Sequence, residues 1–123
     1  MVVLNMMSRM AALIMLTSAT LSMSASQVAT KRVVHVVAER FQFTPSEIKV
    51  DAGTVIEIRL TSEDTAHGFK IAGPSGVDVT IPKRGRGEMV VTFEAAEPGT
   101  YVFECSRMCG AGHSFMRGQV KVK

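Results

Sequence analysis

From Lys31 onward apolar and polar residues alternate with a period of two, and this pattern constrains the fold more than any other feature. Successive side chains of a strand point to opposite faces, so short alternating runs indicate half-buried β-strands. The clearest runs are residues 56–60, 77–81, 89–93 and 119–123. Turn residues separate them, and no stretch after residue 25 has helical periodicity over ten residues. The pattern predicts seven to nine short strands in an all-β, antiparallel Greek-key β-sandwich.

Residues 1–25 have a different composition. They hold six of the nine methionines and a single charge, Arg9, followed by a mostly apolar run and then small residues. This order is typical of a secretory signal peptide. The alternative is an uncleaved membrane anchor, but Thr17 and Ser18 interrupt the run before the roughly 20 apolar residues that a spanning helix needs. We therefore expect an exported, periplasmic protein with one domain over residues 26–123, which meets a membrane only through a partner or an uncleaved N-terminal segment.

Composition excludes several functions. The 123 residues are 46% hydrophobic and 20% charged, as expected for one compact domain. A net charge of +3 with no tryptophan and one tyrosine gives no footprint of nucleic-acid binding. No Ser/His/Asp set, pair of acid–base carboxylates or phosphate-binding glycine loop is recognisable, so we expect no bond-making active site.

Residues 104–117, ECSRMCGAGHSFMR, contain both cysteines of the chain. Cys105 and Cys109 are followed by His113 and Met116, which together offer two thiolates, an imidazole and a thioether. Soft ligands of this kind select copper, zinc or iron–sulfur clusters. A thioether beside cysteine and histidine favours electron-transfer copper, because zinc sites use cysteine, histidine and carboxylate and clusters use mainly cysteine.

The two thiolates indicate a binuclear centre. One thiolate is enough for a mononuclear blue-copper site, whereas two can bridge two copper ions that share one electron. Such a site needs a second imidazole. We expect it from His67, at a junction between strand and loop, and not from His35, which lies inside a strand. The alternative is a structural Cys105–Cys109 disulfide, which would explain neither the histidine nor the methionine that follow.

These motifs resemble a known family. CSRMCGAGHSFM resembles the CuA loop of cytochrome c oxidase subunit II and of nitrous-oxide reductase, and DTAHGFKI resembles the segment that carries the family's first histidine. HSFMRGQVKVK is similar to the closing strand of the short B-type heme–copper oxidase subunit II, and FTPSEIKVDAG and EPGTYVFEC are general to cupredoxins. The resemblance implies a cupredoxin fold that holds two copper ions.

The resemblance also implies a role for each ligand. The predicted metal-binding residues are His67, Cys105, Arg107, Cys109, His113 and Met116. The cysteines would bridge the two ions, His67 and Met116 would complete one ion, and His113 with the Arg107 carbonyl would complete the other. Many family members have glutamate in place of Arg107, and in larger oxidases that glutamate also serves a second metal between subunits. Arginine cannot do so, but it keeps the carbonyl.

The expected function is single-electron transfer, by a soluble carrier or by a subunit II-like module that contributes to cytochrome c oxidase activity within a complex. The alternatives are a periplasmic copper-delivery or storage protein with the same ligands and a structural cupredoxin domain with a disulfide. The expected partner is a c-type cytochrome or a membrane oxidase. Because Arg107 and Arg117 flank the ligand loop, we expect this partner to be anionic or neutral.

The remaining residues near the motifs have ordinary interpretations. We expect Glu63 and Asp64 to form a solvated turn and Phe115 to pack over the site. The basic residues Lys83, Arg84 and Arg86 are expected to form a solvated loop.

Overall fold

The computed structural model describes residues 21–73 and 76–123. Nine strands lie in these residues, together with one turn of 3₁₀ helix, His113–Phe115. The strands are β1 Thr30–Glu39, β2 Gln42–Thr44, β3 Glu47–Val50, β4 Thr54–Ser62, β5 His67–Ile71, β6 Val77–Ile81, β7 Met89–Ala95, β8 Gly99–Glu104 and β9 Arg117–Val122. The predicted all-β architecture is confirmed, whereas most of the predicted signal peptide, residues 1–20, lies outside the described residues.

The strands form two sheets that pack face to face. One has the order β2–β1–β4–β7 and the other β3–β9–β8–β5–β6. Five of the pairings are antiparallel, but β1 pairs with β4, and β3 with β9, in parallel. A tight hairpin joins only antiparallel strands, whereas the chain between β1 and β4 crosses to the second sheet and returns. That crossover permits the parallel pair.

Strand alternation places the core between the sheets. In β4, the residues Ile56, Ile58 and Leu60 are fully buried, and the residues between them are half-buried. Phe43 of the first sheet packs edge-on against Phe69 and Phe103 of the second, with ring centroids 5.6 Å and 5.4 Å apart. Edge-to-face rings at this spacing add specific contact to the burial of apolar area.

Four of the connections between strands lie at one end of the sandwich, here called the metal end. They are residues 40–41, 63–66, 82–88 and 105–116. The last of these, called the metal loop below, leaves β8 and enters β9. Because β8 and β9 pair as far as Glu104 and Arg117, both ends of the metal loop are fixed.

Within the part of the chain that the structure describes, no helix has the length and apolar character needed to cross a bilayer.

Candidate metal centre

The two cysteine thiols lie side by side on the buried side of the metal loop. The Sγ atoms of Cys105 and Cys109 are 3.5 Å apart, and each residue is 5% exposed. Both are free cysteines. Cys105 follows the last residue of β8, so strand alternation places its side chain on the buried face of Phe103. Cys109 lies in the loop itself.

One imidazole lies beside each thiol. Nδ1 of His67, the first residue of β5, is 4.0 Å from Cys105 Sγ. Nδ1 of His113, in the 3₁₀ turn, is 3.7 Å from Cys109 Sγ. His67 is completely buried and His113 is half-buried, so His113 is the imidazole nearer to solvent.

The other two predicted ligand residues also contact the thiols. The thioether sulfur of Met116, a completely buried residue, is 3.9 Å from Cys109 Sγ. The Cys105 thiol donates a hydrogen bond to the Arg107 carbonyl over 3.0 Å. The structure therefore brings donor atoms of all six predicted residues within 4.0 Å of one thiol or the other. His35 is exposed on β1, away from this cluster.

The spacing and chemistry of these donors fit a soft metal ion. A metal bound about 2.0 Å from an imidazole nitrogen and 2.3 Å from a thiolate requires the two donors to lie no more than about 4.3 Å apart. Both histidine–cysteine distances meet this limit. His67, Cys105 and Cys109 alone place three donor atoms within 4.8 Å of one another. The thioether of Met116 favours copper over zinc within this set.

Asp64 orients the buried imidazole. Its Oδ1 atom is 2.7 Å from His67 Nε2, which leaves Nδ1 facing Cys105. A carboxylate on the remote nitrogen fixes the ring and the tautomer of a ligand histidine. The prediction that Asp64 is merely a solvated turn residue was wrong, because the turn folds back beneath His67. Its position three residues before a candidate ligand was the available signal.

The pKa of the Asp64 carboxyl is lowered. Burial is the largest influence and raises this pKa, but hydrogen bonds from the Arg40 amide, His67 and the Thr65 amide together outweigh it. Asp64 is therefore an anion, and an acceptor for His67, at neutral pH.

Gly68 lets β5 approach the metal loop. Its amide N–H donates to Cys105 Sγ over 3.4 Å. A Cβ atom at this position would lie within 2.6 Å of the backbone nitrogens of Ser106 and Arg107, closer than real Cβ contacts come. Glycine after His67 is thus required by backbone packing, a reason that the sequence pattern did not reveal.

The surroundings of the loop differ from two expectations. Phe115 is 82% exposed, so the prediction that it packs over the site was wrong. Arg107 Nη1 lies 3.3 Å from Asp78, and Arg117 Nε lies 3.7 Å from Glu104. The loop-end arginines therefore carry less uncompensated positive charge than the sequence predicts.

The predicted basic loop is exposed and lies at the metal end. Lys83, Arg84 and Arg86 are all exposed, as expected. The Arg84 amide donates to the Asp64 carbonyl over 3.1 Å, which places this loop beside the turn that supports His67.

Comparison with known proteins identifies the family. A model of the cupredoxin-like domain matches residues 10–122. The chain belongs to the cupredoxin family. It is 35% identical over 91 residues to cytochrome c oxidase subunit 2 of Thermus thermophilus, an alignment that covers 73% of the chain and 64% of the relative. Against a second subunit 2 sequence from the same species the identity is again 35%, with 52% of that relative covered. The cupredoxin chain thus spans between half and two thirds of these relatives.

Solved structures agree with this assignment. A subunit of a heme–copper terminal oxidase dimer is 32% identical, with a TM-score of 0.65 over 77% of the chain and 65% of that structure. The periplasmic domain of cytochrome oxidase subunit II from Bradyrhizobium japonicum shares the fold at 23% identity, with a TM-score of 0.63 over 74% of the chain and 83% of that domain. The resemblance to subunit II, and the cupredoxin sandwich, are therefore confirmed.

The raised pKa of the Cys109 thiol predicts that metal affinity depends on pH. Burial, then the hydrogen bond with Cys105 and that residue's charge, raise its pKa to about 11. Below that pH the folded protein holds a proton on Cys109, which a metal must displace, so raising the pH favours the metal. Between pH 6 and 8 we therefore expect the release of this one proton to raise the apparent Cu(I) affinity by about tenfold for each pH unit. Competition with a chromophoric chelator at several pH values measures it. A slope no lower in Cys109→Ser than in the wild type would contradict the assignment.

Proposed function

We propose that this cupredoxin holds a binuclear CuA-type copper centre and passes single electrons. The observation that carries the proposal is the pairing of each imidazole with a different thiol, His67 with Cys105 and His113 with Cys109. A mononuclear blue-copper site needs both imidazoles around a single thiolate. Here each imidazole lies beside a different sulfur, the two sulfurs are 3.5 Å apart, and the His67 donor atom lies within 4.8 Å of both.

The surrounding residues suit that role. When bound, two copper ions bridged by two thiolates would share one electron, so each bond would change little between oxidation states. The chain's contribution is to hold the donors still: β8 and β9 fix the metal loop, and Asp64 fixes His67. Met116, completely buried beside Cys109, would supply the weak axial thioether.

The Thermus relatives are named as oxidase subunits, which favours a subunit II-like module that docks on a membrane oxidase. Because the alignment covers only 64% and 52% of them, a soluble carrier with the same domain remains part of the proposal. We further propose export to the periplasm, supported by the signal-like residues 1–25 and by the periplasmic location named for the Bradyrhizobium domain.

Copper delivery is the second candidate. A groove alongside the metal loop is lined by Cys105 and His113 together with the polar residues Ser106 and Ser114. An opening beside two candidate ligand residues would suit copper exchange with another protein. Equal sharing of the electron would not be needed for that function, so the spectrum of the copper-loaded protein separates the two candidates.

The first prediction from this proposed function concerns the number of metal ions. The copper-loaded protein should bind two ions per chain, and its electron paramagnetic resonance spectrum should show one unpaired electron coupled equally to two copper nuclei. Cys109→Ser should remove this spectrum. Met108→Leu, in the same loop but 80% exposed, is the matched control and should retain it. One ion with a single-metal spectrum would rule out the binuclear centre.

The second prediction separates ligands that use a side chain from the ligand that uses its backbone. Arg107→Ala should preserve the copper content and absorption spectrum, since the carbonyl remains and the lost side-chain contacts, with Thr80, Asp78 and Ser106, lie at the surface. His67→Ala and His113→Ala should each remove or transform the spectrum. Met116→Leu keeps the buried volume and should retain both ions while shifting the reduction potential. Loss of copper binding in the single variant Arg107→Ala would refute the proposal that Arg107 contributes only its carbonyl.

The third prediction concerns the redox partner. Met108 and Phe115 are 80% and 82% exposed on the metal loop, while Arg107 and Arg117 are paired with carboxylates. We propose an anionic or neutral partner that docks mainly through apolar contact. Stopped-flow reaction with an anionic c-type cytochrome should slow only modestly as salt rises, and Phe115→Ser should slow it several-fold at every salt concentration. A reaction at low salt that is faster with a cationic cytochrome than with the anionic one would contradict the proposed docking surface.

A further inference from the structure

The turn between β1 and β2 contacts both halves of the candidate centre. The Arg40 amide donates to Asp64 Oδ2 over 2.8 Å, and the other oxygen of Asp64 is 2.7 Å from His67 Nε2. The Arg40 side chain turns the other way, and its Nε–H donates to the Cys109 carbonyl over 3.1 Å. One residue thus connects a candidate imidazole ligand with a candidate thiolate ligand that lies far from it in sequence.

Phe41, the next residue, supports the same segment of the metal loop. Its ring is half-buried and lies directly against Gly110 and Gly112. A Cβ atom on Gly112 would overlap the ring, and one on Gly110 would come within 2.9 Å of it. Gly110 also has φ +135°, which L side chains rarely adopt. The backbone between Cys109 and His113 therefore rests on Phe41.

We propose that Arg40 is a positioning residue for the copper centre, holding Cys109 in register with His67 through its two hydrogen bonds. The inference rests on the proposed copper site. Cys105 and His67 are fixed by strands β8 and β5, but Cys109 lies beyond the last strand pair and depends on loop contacts. The first sheet supplies such a contact through Arg40, so the two sheets together define the donor spacing.

Two substitutions separate the hydrogen bond from the charge. Arg40→Ala removes the contact with the Cys109 carbonyl but keeps the backbone bond to Asp64. Arg40→Gln places a neutral N–H donor where the arginine Nε stands. Arg84→Ala is the matched control, because Arg84 is an exposed arginine at the metal end whose side chain contacts Glu63.

The copper measurement uses Cu(I) in competition with a chromophoric chelator. Arg40→Ala should weaken binding by about tenfold, the lower end of the effect of losing an outer-shell partner of a metal site. Arg40→Gln and Arg84→Ala should stay close to the wild type. An unchanged affinity in Arg40→Ala would overturn the proposal. Equal losses in Arg40→Ala and Arg40→Gln would also overturn it, since they would assign the effect to charge.

A second measurement needs no metal. The amides of His113, Phe115 and Met116 form hydrogen bonds within the metal loop. In the metal-free protein their hydrogen exchange should accelerate in Arg40→Ala and remain unchanged in Arg40→Gln and Arg84→Ala. Unchanged exchange in Arg40→Ala would refute the positioning role. If the wild type bound no copper, the proposed function would fail, while this exchange comparison would still decide whether Arg40 positions the loop.

Discussion

The antiparallel pairing of β8 with β9 is the constraint on which the metal end depends. Their register runs from Gly99 opposite Val122 to Glu104 opposite Arg117, and the Cys105 amide adds a 3.1 Å hydrogen bond to the Met116 carbonyl just above it. The first and last candidate ligands of the loop are thereby held together at its base. The residues between them need only fold one short loop to bring Cys109 and His113 back towards Cys105.

The core beneath the loop gives this arrangement its rigidity. Phe103 and Phe69 lie two residues from Cys105 and His67 on the same buried faces, and their ring centroids are 5.0 Å apart. Close-packed rings leave these backbones little room to shift. Donors already within 4.0 Å of the thiols need little rearrangement when charge changes, which is the property that the proposed electron transfer requires.

The sequence predicted the elements governed by local pattern. Alternation identified β4, β6, β7 and β9, and the soft-ligand motif identified residues that the structure brings together around two thiols. The sequence did not predict the parallel pairing of β1 with β4, since parallel registry depends on where the chain crosses between sheets. Arg40 was missed for a related reason, because its role comes from contacts with loops distant in sequence. Asp64 was missed although it contacts His67 only three residues away, because the carboxylate alone resembles an ordinary charged residue of a turn.

These missed contacts change how the site relates to the fold. Ligand residues on β5 and in the loop between β8 and β9 would by themselves make the centre a property of the second sheet. Asp64 follows β4 and Arg40 follows β1, so the first sheet supports His67 from one side and Cys109 from the other. Separation of the sheets would therefore disturb both donors at once. By mass action, a metal bound only by the assembled donors would stabilise the closed sandwich as a whole and not the loop alone.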